Sequence, residues 1–543
     1  MQSTLGDFAS KIHAQKYALK DSSGKPIESW PDTASRVASN VLGAIGYGPR
    51  SDEVREIERL ITARKFLPGG RYLYAAGRDL HQVNNCLLLR CEDSREGWAA
   101  LLWQATMALM TGAGIGVDYS HVRPRGSSVH RTGGHASGPL SPMRIINELG
   151  RDVMQGGSRR SAIWAGLNWR HPDIMDFITV KDWDDKLRAL KERDWTLPME
   201  MELTNISVIL DDDFFAAIES PAHPDHEHAS RVYSAALSRM LKTGEPGFSV
   251  DTGENAGETL RNACTEVTSA DDSDICNLGS INLGRIESRQ ELKSTIELAT
   301  LFLLAGTVYS DVPYVKVDDV RTKNRRLGLG LMGVHDWLLQ RGLPYGPNGG
   351  LGLLLEEYAR CGVIADSWAD ALSLSRPVKT RAIAPNGTIG IIAETTTGIE
   401  PIFCTAYERT YLVGREWRTE TVVDPVAESL VRRGVDPDDV EDAYSLSADV
   451  KRRLGMQAWV QQYVDHGISS TVNLPAPITD PAEVATFGET LLNFLPYLRG
   501  VTAYPNGARA GQPIKAVPLV EALRGPLVID VNEETCVGGI CGV

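Results

Sequence analysis

Three residues near the middle of the chain place a thiol, an amide and a carboxylate at alternate positions. Cys264 stands between Asn262 and Glu266, with Ala263 and Thr265 in the intervening positions. Residues two apart on an extended segment point the same way, so the three side chains can face one substrate. They offer a sulfur for hydrogen-atom or nucleophilic chemistry, an amide for orientation and a carboxylate for general base catalysis. Exposed polar residues produce the same spacing, which is therefore weakly specific.

Two further thiols lie at the C-terminal end. Cys536 and Cys541 both fall within the last eight residues, with two glycines between them. The glycines give the flexibility that two sulfurs need to meet in disulfide geometry. A flexible coil of about 16 residues from Gly525 reaches roughly 22 Å, so such a tail can carry electrons into a buried site by thiol–disulfide exchange. A zinc site is disfavoured by the spacing, and two incidental cysteines are the remaining alternative.

Cys86 and Cys276 lie in short apolar runs that are typical of strands. The pattern predicts buried thiols, and the simplest interpretation of each is a small core side chain. Spacing alone does not show whether the two sulfurs meet. The other cysteines of the first 500 residues are interpreted as core residues: Cys91, Cys361 and Cys404.

The run from Pro385 through Asn386, Gly387 and Thr388 to Ile389 is a candidate phosphate-binding turn. Such a turn presents backbone N–H groups and a hydroxyl to an oxyanion, especially where it opens a helix. It matches neither the P-loop nor the dinucleotide fingerprint, and a purely structural turn is the alternative.

A glycine-rich segment at 112–116 resembles part of the dinucleotide fingerprint. It follows a helix-like stretch rather than a strand, so a Rossmann site is not predicted. Gly112, Gly114 and Gly116 are instead expected to allow a ligand or a neighbouring strand to approach the backbone closely.

Composition places the 543-residue chain among ordinary globular proteins, with 42% hydrophobic and 23% charged residues. Its 70 acidic and 56 basic residues give a net charge of −14, which argues against general binding of DNA, RNA or an anionic membrane. No uninterrupted run of about 18 apolar residues and no N-terminal signal core is present. Eight cysteines are too few for a secreted disulfide scaffold. We therefore expect a cytoplasmic protein without a resident metal ion.

The chain divides into a helical start, a long alternating region and a C-terminal segment. Residues 1–84 show helical periodicity over 34–42 and 52–66. Residues 85–507 alternate strand-like and helix-like runs, which predicts an α/β domain, and residues 508–543 form the C-terminal segment. The strand-like runs are 86–89, 206–210, 389–393 and 470–474, and the helix-like runs are 98–110, 294–309, 353–374 and 487–498.

Taken in order, these segments resemble the catalytic subunit of ribonucleotide reductase, in particular the adenosylcobalamin-dependent (class II) family. The resemblance extends from about Pro68 to the last residue. Each segment alone is a weak signal, but together they follow the family's order and include five cysteines at family-like positions. The segments are 68–71, 84–86, 95–98, 122–126, 133–139, 159–162, 262–266, 276–282, 324–328, 385–389 and 536–541.

The resemblance implies a ten-stranded α/β barrel with a central finger loop, an N-terminal helical domain and a flexible C-terminal tail. At the tip of the finger loop, Cys264 would become a thiyl radical that abstracts the ribose 3′ hydrogen. Glu266 would take the proton of the 3′-hydroxyl, and Asn262 would bind the ribose hydroxyls. Cys86 and Cys276 would supply two electrons and become a disulfide. A position of Cys264 deep in the barrel agrees with the need of a radical for a shielded pocket.

The tail would complete the cycle. By the same resemblance, Cys536 and Cys541 reduce the buried disulfide and are recharged by a thioredoxin-like protein. A deoxynucleoside triphosphate effector of specificity would bind at Asp93 and Arg123. The substrate contacts implied by the resemblance are Asn85, Cys86, Gly114, Asn262, Ala263, Cys264, Thr265, Glu266, Pro385, Asn386, Gly387, Thr388 and Ile389.

Several alternatives stay open at this point. No Tyr-Tyr dipeptide occurs, and 498–507 contains one tyrosine, which favours the cobalamin class over a class I-like subunit that needs a separate radical-generating subunit. A thiol–disulfide exchange or metal-binding protein and a non-catalytic nucleotide-binding regulator are rivals from other classes. The substrate is a ribonucleoside di- or triphosphate. Segments 68–71 and 84–86 resemble monomeric triphosphate reductases more, and monomer and homodimer both remain possible.

Overall fold

The computed structural model describes residues 5–130, 133–153, 161–194, 197–413, 416–506 and 514–523. Two segments that carried the resemblance lie wholly or partly outside these ranges: 159–162 and the tail with Cys536 and Cys541.

The first helices build a cap in front of the main sheet. They are α1 (Asp7–Lys16), α2 (Trp30–Gly43), α3 (Asp52–Thr62) and α4 (Gly70–Ala75). Ser29 starts α2 through a capping box with Asp32, which satisfies backbone N–H groups that the first turn leaves open. The buried faces of α2 and α3 pack into one core with the long helix α11 (Arg289–Tyr309). A short strand, β1 (Phe66–Pro68), interrupts the region predicted to be helical and joins the main sheet instead.

The remaining elements alternate along the chain as the sequence predicts. The other strands are β2 (Cys86–Arg90), β3 (Gly114–Asp118), β4 (Ser128–Val129), β5 (Gly134–His135), β6 (Ile163–Asn168), β7 (Thr204–Asp211), β8 (Gly247–Asp251), β9 (Leu260–Arg261), β10 (Thr268–Ser269), β11 (Asp274–Asn282), β12 (Leu327–Met332), β13 (Ala406–Val413), β14 (Glu416–Val423), β15 (Thr471–Leu474), β16 (Gly500–Pro505) and β17 (Ile514–Ala516). The other helices are α5 (Arg95–Thr111), α6 (Leu140–Asp152), α7 (Ile174–Thr179), α8 (Asp185–Arg193), α9 (Asp212–Glu219), α10 (His226–Thr243), α12 (Val315–Asn324), α13 (Val334–Leu339), α14 (Gly349–Ala359), α15 (Cys361–Ala371), α16 (Gly387–Ala393), α17 (Pro425–Arg432), α18 (Val450–Gln461), α19 (Pro481–Phe494) and α20 (Leu519–Ala522). Short 3₁₀ turns lie at Gly253–Asn255, Leu283–Arg285, Pro437–Asp439, Ser445–Ala448 and Leu495–Tyr497.

Ten strands form one sheet. Nine follow the order β1-β11-β2-β3-β6-β7-β8-β16-β15, and the tenth, β12, also pairs with β11. The pairs from β2 to β8 are parallel, and antiparallel pairs at β11–β2 and β8–β16 join this half to the rest. Segment 379–383 closes the ring, because Arg381 bridges to Leu329 of β12 and Ile383 bridges to Ile468 just before β15. The α/β fold and the ten-stranded barrel expected from the resemblance are confirmed.

Helices cover the outside of the barrel, and the interior is small. Two large apolar clusters pack between the strands and the outer helices, one around α11 and one around α5 and α10. A third, much smaller cluster lies among the strands and the hairpin β9–β10. In this cluster, side chains of the barrel strands such as Leu88 and Leu278 pack against Leu260 and Val267 of the hairpin, so a loop of the chain occupies part of the barrel interior.

A small separate sheet follows the barrel strands. Strands β13 and β14 form an antiparallel hairpin, and β17 pairs with β13. Residues Ile514–Ala516 fall within the predicted C-terminal segment 508–543, so the described part of that segment, 514–523, packs on the protein.

Among the helices of the described ranges, α11 alone is long and apolar enough to cross a membrane by composition, although 67% of the relevant window is buried inside the protein. Core packing therefore accounts for its apolar sequence.

Two element predictions were wrong. The run 389–393 was predicted as a strand and forms most of α16, since a short apolar run fits a buried helix equally well. The stretch 353–374 was predicted as one helix and is divided into α14 and α15 at Arg360. The other predicted runs fall on β2, β7, β15, α5, α11 and α19.

Candidate active site

The finger loop is a short hairpin with a tight tip inside the barrel. Thr268 of β10 pairs with Arg261 of β9, and residues 262–267 form the tip. The Thr265 amide donates to the carbonyl of Asn262 at 3.0 Å, and the Val267 amide donates to Oδ1 of Asn262 at the same distance. Thr265 adopts a left-handed backbone with φ of 66°, a conformation that costs a threonine of the order of 1–3 kcal/mol and is typical of functional sites. The expectation of an extended segment is wrong, because a turn brings the side chains together.

Two glycines of β3 let the loop lie directly on the strand. A Cβ at Gly114 would lie 3.2 Å from Cβ of Ala263, and a Cβ at Gly116 would lie 1.9 Å from the carbonyl oxygen of Arg261. The close approach predicted for the glycine-rich segment is confirmed, and the partner is the finger loop.

We expect Gly116→Ala to misplace the loop. Its methyl group would overlap the Arg261 backbone, and such overpacking costs about 1–3 kcal/mol of stability. A shift of about 1 Å at a reacting group costs about 10²-fold in rate. Thermal unfolding and a steady-state reductase assay measure both effects. Gly43→Ala is the matched control, since a Cβ there meets open space; full activity in Gly116→Ala would contradict this role of the glycine.

Cys86 and Cys276 stand opposite each other on neighbouring strands. They are direct partners in the antiparallel register of β2 and β11, and both are buried. Nδ2 of Asn262 donates to the sulfur of Cys86 at 3.3 Å. The loop that carries Cys264 is therefore anchored on one member of the pair, and both thiols are free.

All three thiols are held in the neutral form. Burial raises the pKa of Cys86 to about 12, with the charge of Glu266 adding to the effect. Burial, and then the same carboxylate, raise the pKa of Cys264 well above its usual value, while Asp274 adds to burial at Cys276. Cys264 itself is only partly buried. The protein around its side chain still excludes most of the water that would stabilise a thiolate. At neutral pH these groups carry hydrogen atoms rather than negative charge.

Glu266 is buried beside the thiols with a free oxygen. Burial raises its pKa to about 7, and a hydrogen bond from Asn262 partly offsets the shift. In the described part of the chain, Oε2 of Glu266 has no hydrogen-bond partner. A buried acceptor without a partner needs a ligand group or water, so this oxygen can accept a proton from a bound hydroxyl.

The candidate phosphate turn opens helix α16 next to the barrel strands. Asn386 has a left-handed backbone (φ 57°), accepts a hydrogen bond from Oγ of Ser280 at 3.0 Å and donates to the carbonyl of Leu331 at 3.4 Å. Its side chain therefore ties the turn to β11 and β12. The first N–H groups of a helix have no partner within it and suit an oxyanion, and the side chains of Thr388 and Ile389 are buried there.

Two family models match the chain. One, described as the barrel domain of ribonucleotide reductase, matches residues 84–229, 225–354 and 376–493, well over half of the 543 residues. This chain belongs to the ribonucleotide reductase family. The other model, described as the all-alpha domain of ribonucleotide reductase, matches residues 3–81, which include the helical cap.

Curated reductases resemble this ribonucleotide reductase along most of its length. The vitamin B12-dependent ribonucleoside-diphosphate reductase of Mycobacterium tuberculosis (strain CDC 1551 / Oshkosh) is 30% identical over 97% of this chain and 83% of its own length. The enzyme of the same name from Thermoplasma acidophilum is 28% identical over 85% of this chain and 66% of its own length. A putative adenosylcobalamin-dependent ribonucleoside-triphosphate reductase of Mycobacterium phage D29 is 28% identical over 83% of this chain and 75% of its own length.

Two further groups of candidate residues in this ribonucleotide reductase were predicted for the effector site and for the C-terminal tail. Asp93 and Arg123, predicted at the effector site, form an ion pair with 2.7 Å between Oδ2 and Nε. Both are partly exposed, so the structure brings the pair together at the surface. Cys536 and Cys541 lie outside the described residues.

Sequence reasoning missed a clamp on the reductase finger loop. The Gly467 amide donates to the carbonyl of Glu266 at 2.7 Å, and Nδ1 of His466 accepts from the Thr268 amide at 3.2 Å. The two bonds hold the residues on either side of Val267. Burial and nearby cations keep the pKa of His466 well below its usual value, so the ring is a neutral acceptor. Nothing in the local sequence marks this pair, because its partners lie about 200 positions earlier.

Proposed function

We propose that this protein reduces ribonucleotides to 2′-deoxyribonucleotides by thiyl-radical chemistry at Cys264, for DNA synthesis. The observation that carries the proposal is the enclosure of three neutral thiols with one high-pKa carboxylate inside the barrel. A hydrogen-atom carrier needs an intact S–H bond and protection from solvent. A protein of plain thiol–disulfide exchange needs the opposite, an accessible thiol with a lowered pKa.

Five residues have separate roles in the proposed reaction. The Cys264 radical takes the hydrogen atom from the ribose 3′ carbon, while Glu266 accepts the proton of the 3′-hydroxyl and Asn262 binds the ribose hydroxyls. The 2′-hydroxyl leaves as water. Cys86 and Cys276 give up two hydrogen equivalents and form a disulfide, and Cys264 returns its hydrogen atom to the 3′ carbon. One ribonucleotide and two thiols thus yield one deoxyribonucleotide, one disulfide and one water.

The radical is proposed to come from adenosylcobalamin. Relatives are named for this dependence. Cys264 is partly open to solvent, unlike the buried Cys86 and Cys276, which fits a cofactor that must come close to it. Thr265 and Arg499 both lie against Gly467, next to the finger tip, and would border the cofactor. When bound, adenosylcobalamin supplies the unpaired electron that Cys264 carries.

Substrate and effector are assigned to separate places. The phosphates of a ribonucleoside di- or triphosphate bind at 385–389, and the ribose lies between Asn85, Gly114 and the finger tip. The buried Oδ1 of Asn85, which has no partner in the described ranges, supports a ligand on this side. A deoxynucleoside triphosphate that sets specificity binds at the ion pair of Asp93 and Arg123.

Purified protein tests this function directly. Adenosylcobalamin, a small dithiol and CDP or CTP should give the deoxynucleotide without any second protein. Activity that appears only after a metal-containing subunit is added would support the class I-like alternative, and thiol cycling without dependence on a nucleotide would support an exchange protein.

The tail cysteines are proposed to reduce the buried pair and to be recharged by a thioredoxin-like protein in the cytoplasm. Cys536→Ala and Cys541→Ala should each lose turnover with thioredoxin, since one thiol cannot resolve a mixed disulfide. Turnover with a small dithiol should persist, because this reductant reaches the buried pair on its own. Rates measured with the two reductants decide the question, and equal losses with both would contradict a shuttle.

A further inference from the structure

A cavity of about 210 Å³ lies between the end of α1 and α4. Four of its seven lining residues are cationic, and none carries a carboxylate: the cations are Lys16, Lys20, Arg71 and Arg78. Tyr74 is also part of the wall. We call these five residues and the space between them the basic pocket. Such a concentration of positive charge is unusual on a chain whose net charge is −14, and it attracts anions.

Neutral groups hold Lys20 and Arg78 of the basic pocket in place. The Tyr74 ring has the guanidinium carbon of Arg78 at 4.4 Å and that of Arg71 at 5.3 Å from its centre. Nε of Arg78 donates to the carbonyl of Tyr74 at 2.6 Å, and Nζ of Lys20 donates to the carbonyl of Gln15 at 2.8 Å. Within the described ranges, neither Lys20 nor Arg78 forms an ion pair. Their charges are therefore positioned but not neutralised by the protein.

The basic pocket adjoins the candidate phosphate turn. Tyr17, which follows Lys16, forms a hydrogen bond between its hydroxyl and Oγ1 of Thr388. On the other side, the guanidinium carbon of Arg71 lies 2.3 Å from where a Cβ of Gly112 would be, two residues before Gly114. The segment with Lys16 is thus bonded to the phosphate turn through Tyr17, and Arg71 packs against the glycine that precedes the strand supporting the finger loop.

We propose that the basic pocket binds the terminal phosphate of a ribonucleoside triphosphate substrate, which rests on the function proposed above. The backbone N–H groups of the turn at 385–389 suit the phosphates nearest the ribose. A third phosphate adds charge and length beyond the turn, where Arg and Lys donors form the stronger, charge-assisted bonds. A diphosphate ends before the pocket and does not use it.

Arg78→Ala and Lys20→Ala test the assignment with CTP and CDP under the same effector, cobalamin and dithiol. We expect the KM for CTP to rise about tenfold, as loss of one charge-assisted hydrogen bond implies, and the KM for CDP to stay unchanged. Arg78→Lys should keep most of the CTP affinity, because a cation remains. Arg55→Ala is the matched control, since it removes the same charge from an exposed face of α3.

Each result has one meaning. Equal changes for CTP and CDP, or no change for either, overturn the terminal-phosphate site while leaving the reductase function intact. A wild-type enzyme that reduces CDP but not CTP also overturns it. A protein that reduces neither nucleotide refutes the proposed function itself. A fall in stability alone would move both substrates together, so only the selective loss of CTP affinity supports the pocket.

Discussion

Cys264→Ser is expected to lower ribonucleotide reduction by at least about 10⁴-fold, the scale seen when the group that performs the chemistry is removed. An alcohol of the same shape keeps the turn at 262–267 but does not supply the S–H hydrogen atom. Nucleotide binding should therefore be retained. Equilibrium binding of substrate and a product assay with a small dithiol measure the two properties separately.

Cys361→Ser is the matched control for this change. Cys361 is another buried free thiol, raised in pKa to about 11 by burial, and it packs against Thr300 outside the barrel interior. The substitution is expected to leave the rate per folded molecule unchanged. Reduction retained in Cys264→Ser would refute the radical role, and lost nucleotide binding would show that the serine disturbs the site instead.

Glu266→Gln is expected to lower the maximal rate by about 10²–10⁴-fold, the usual contribution of a general base. The folded-state pKa of Glu266 is about 7, and only the deprotonated form accepts a proton. The wild-type rate should therefore fall as the pH drops below about 7 and level off above it. The amide cannot titrate, so the acid limb of the pH profile should disappear in the variant.

The exposed carboxylate of Glu254 gives the control for this pH profile. It lies in the same connection before the finger loop but is open to solvent. Glu254→Gln should keep both the rate and the acid limb. An acid limb that persists in Glu266→Gln would assign it to another group and would remove Glu266 from the proton transfer.

Much of the fold follows from local patterns in this chain. Alternating apolar runs predict the strands β2, β7 and β15, and helical spacing predicts α5 and α11. The split of 353–374 and the helix at 389–393 were missed, because short apolar runs do not distinguish the periodicity of a helix from that of a strand. Closure of the ring by 379–383 depends on single bridges that leave no periodic signal.

The sequence alone suggests candidate residues for the site but not the contacts between them. Residue types and spacing made Cys264 and Glu266 candidates, whereas the pairing of Cys86 with Cys276 depends on the register of two strands about 190 positions apart. The contact of Tyr17 with Thr388 spans 371 positions. Long-range pairs of this kind carry no local signature, so a single sequence predicts the groups and the folded chain supplies their geometry.

Product formation in the absence of any external reductant tests the central claim most directly. Fully reduced Cys536→Ala/Cys541→Ala protein, mixed with adenosylcobalamin and substrate, should form one deoxyribonucleotide per chain, and peptide mapping should find Cys86 and Cys276 joined as a disulfide. The wild type should form up to two, since its tail can recharge the pair once. Product formed while Cys86 and Cys276 remain free thiols, or a disulfide formed without product, would contradict the account.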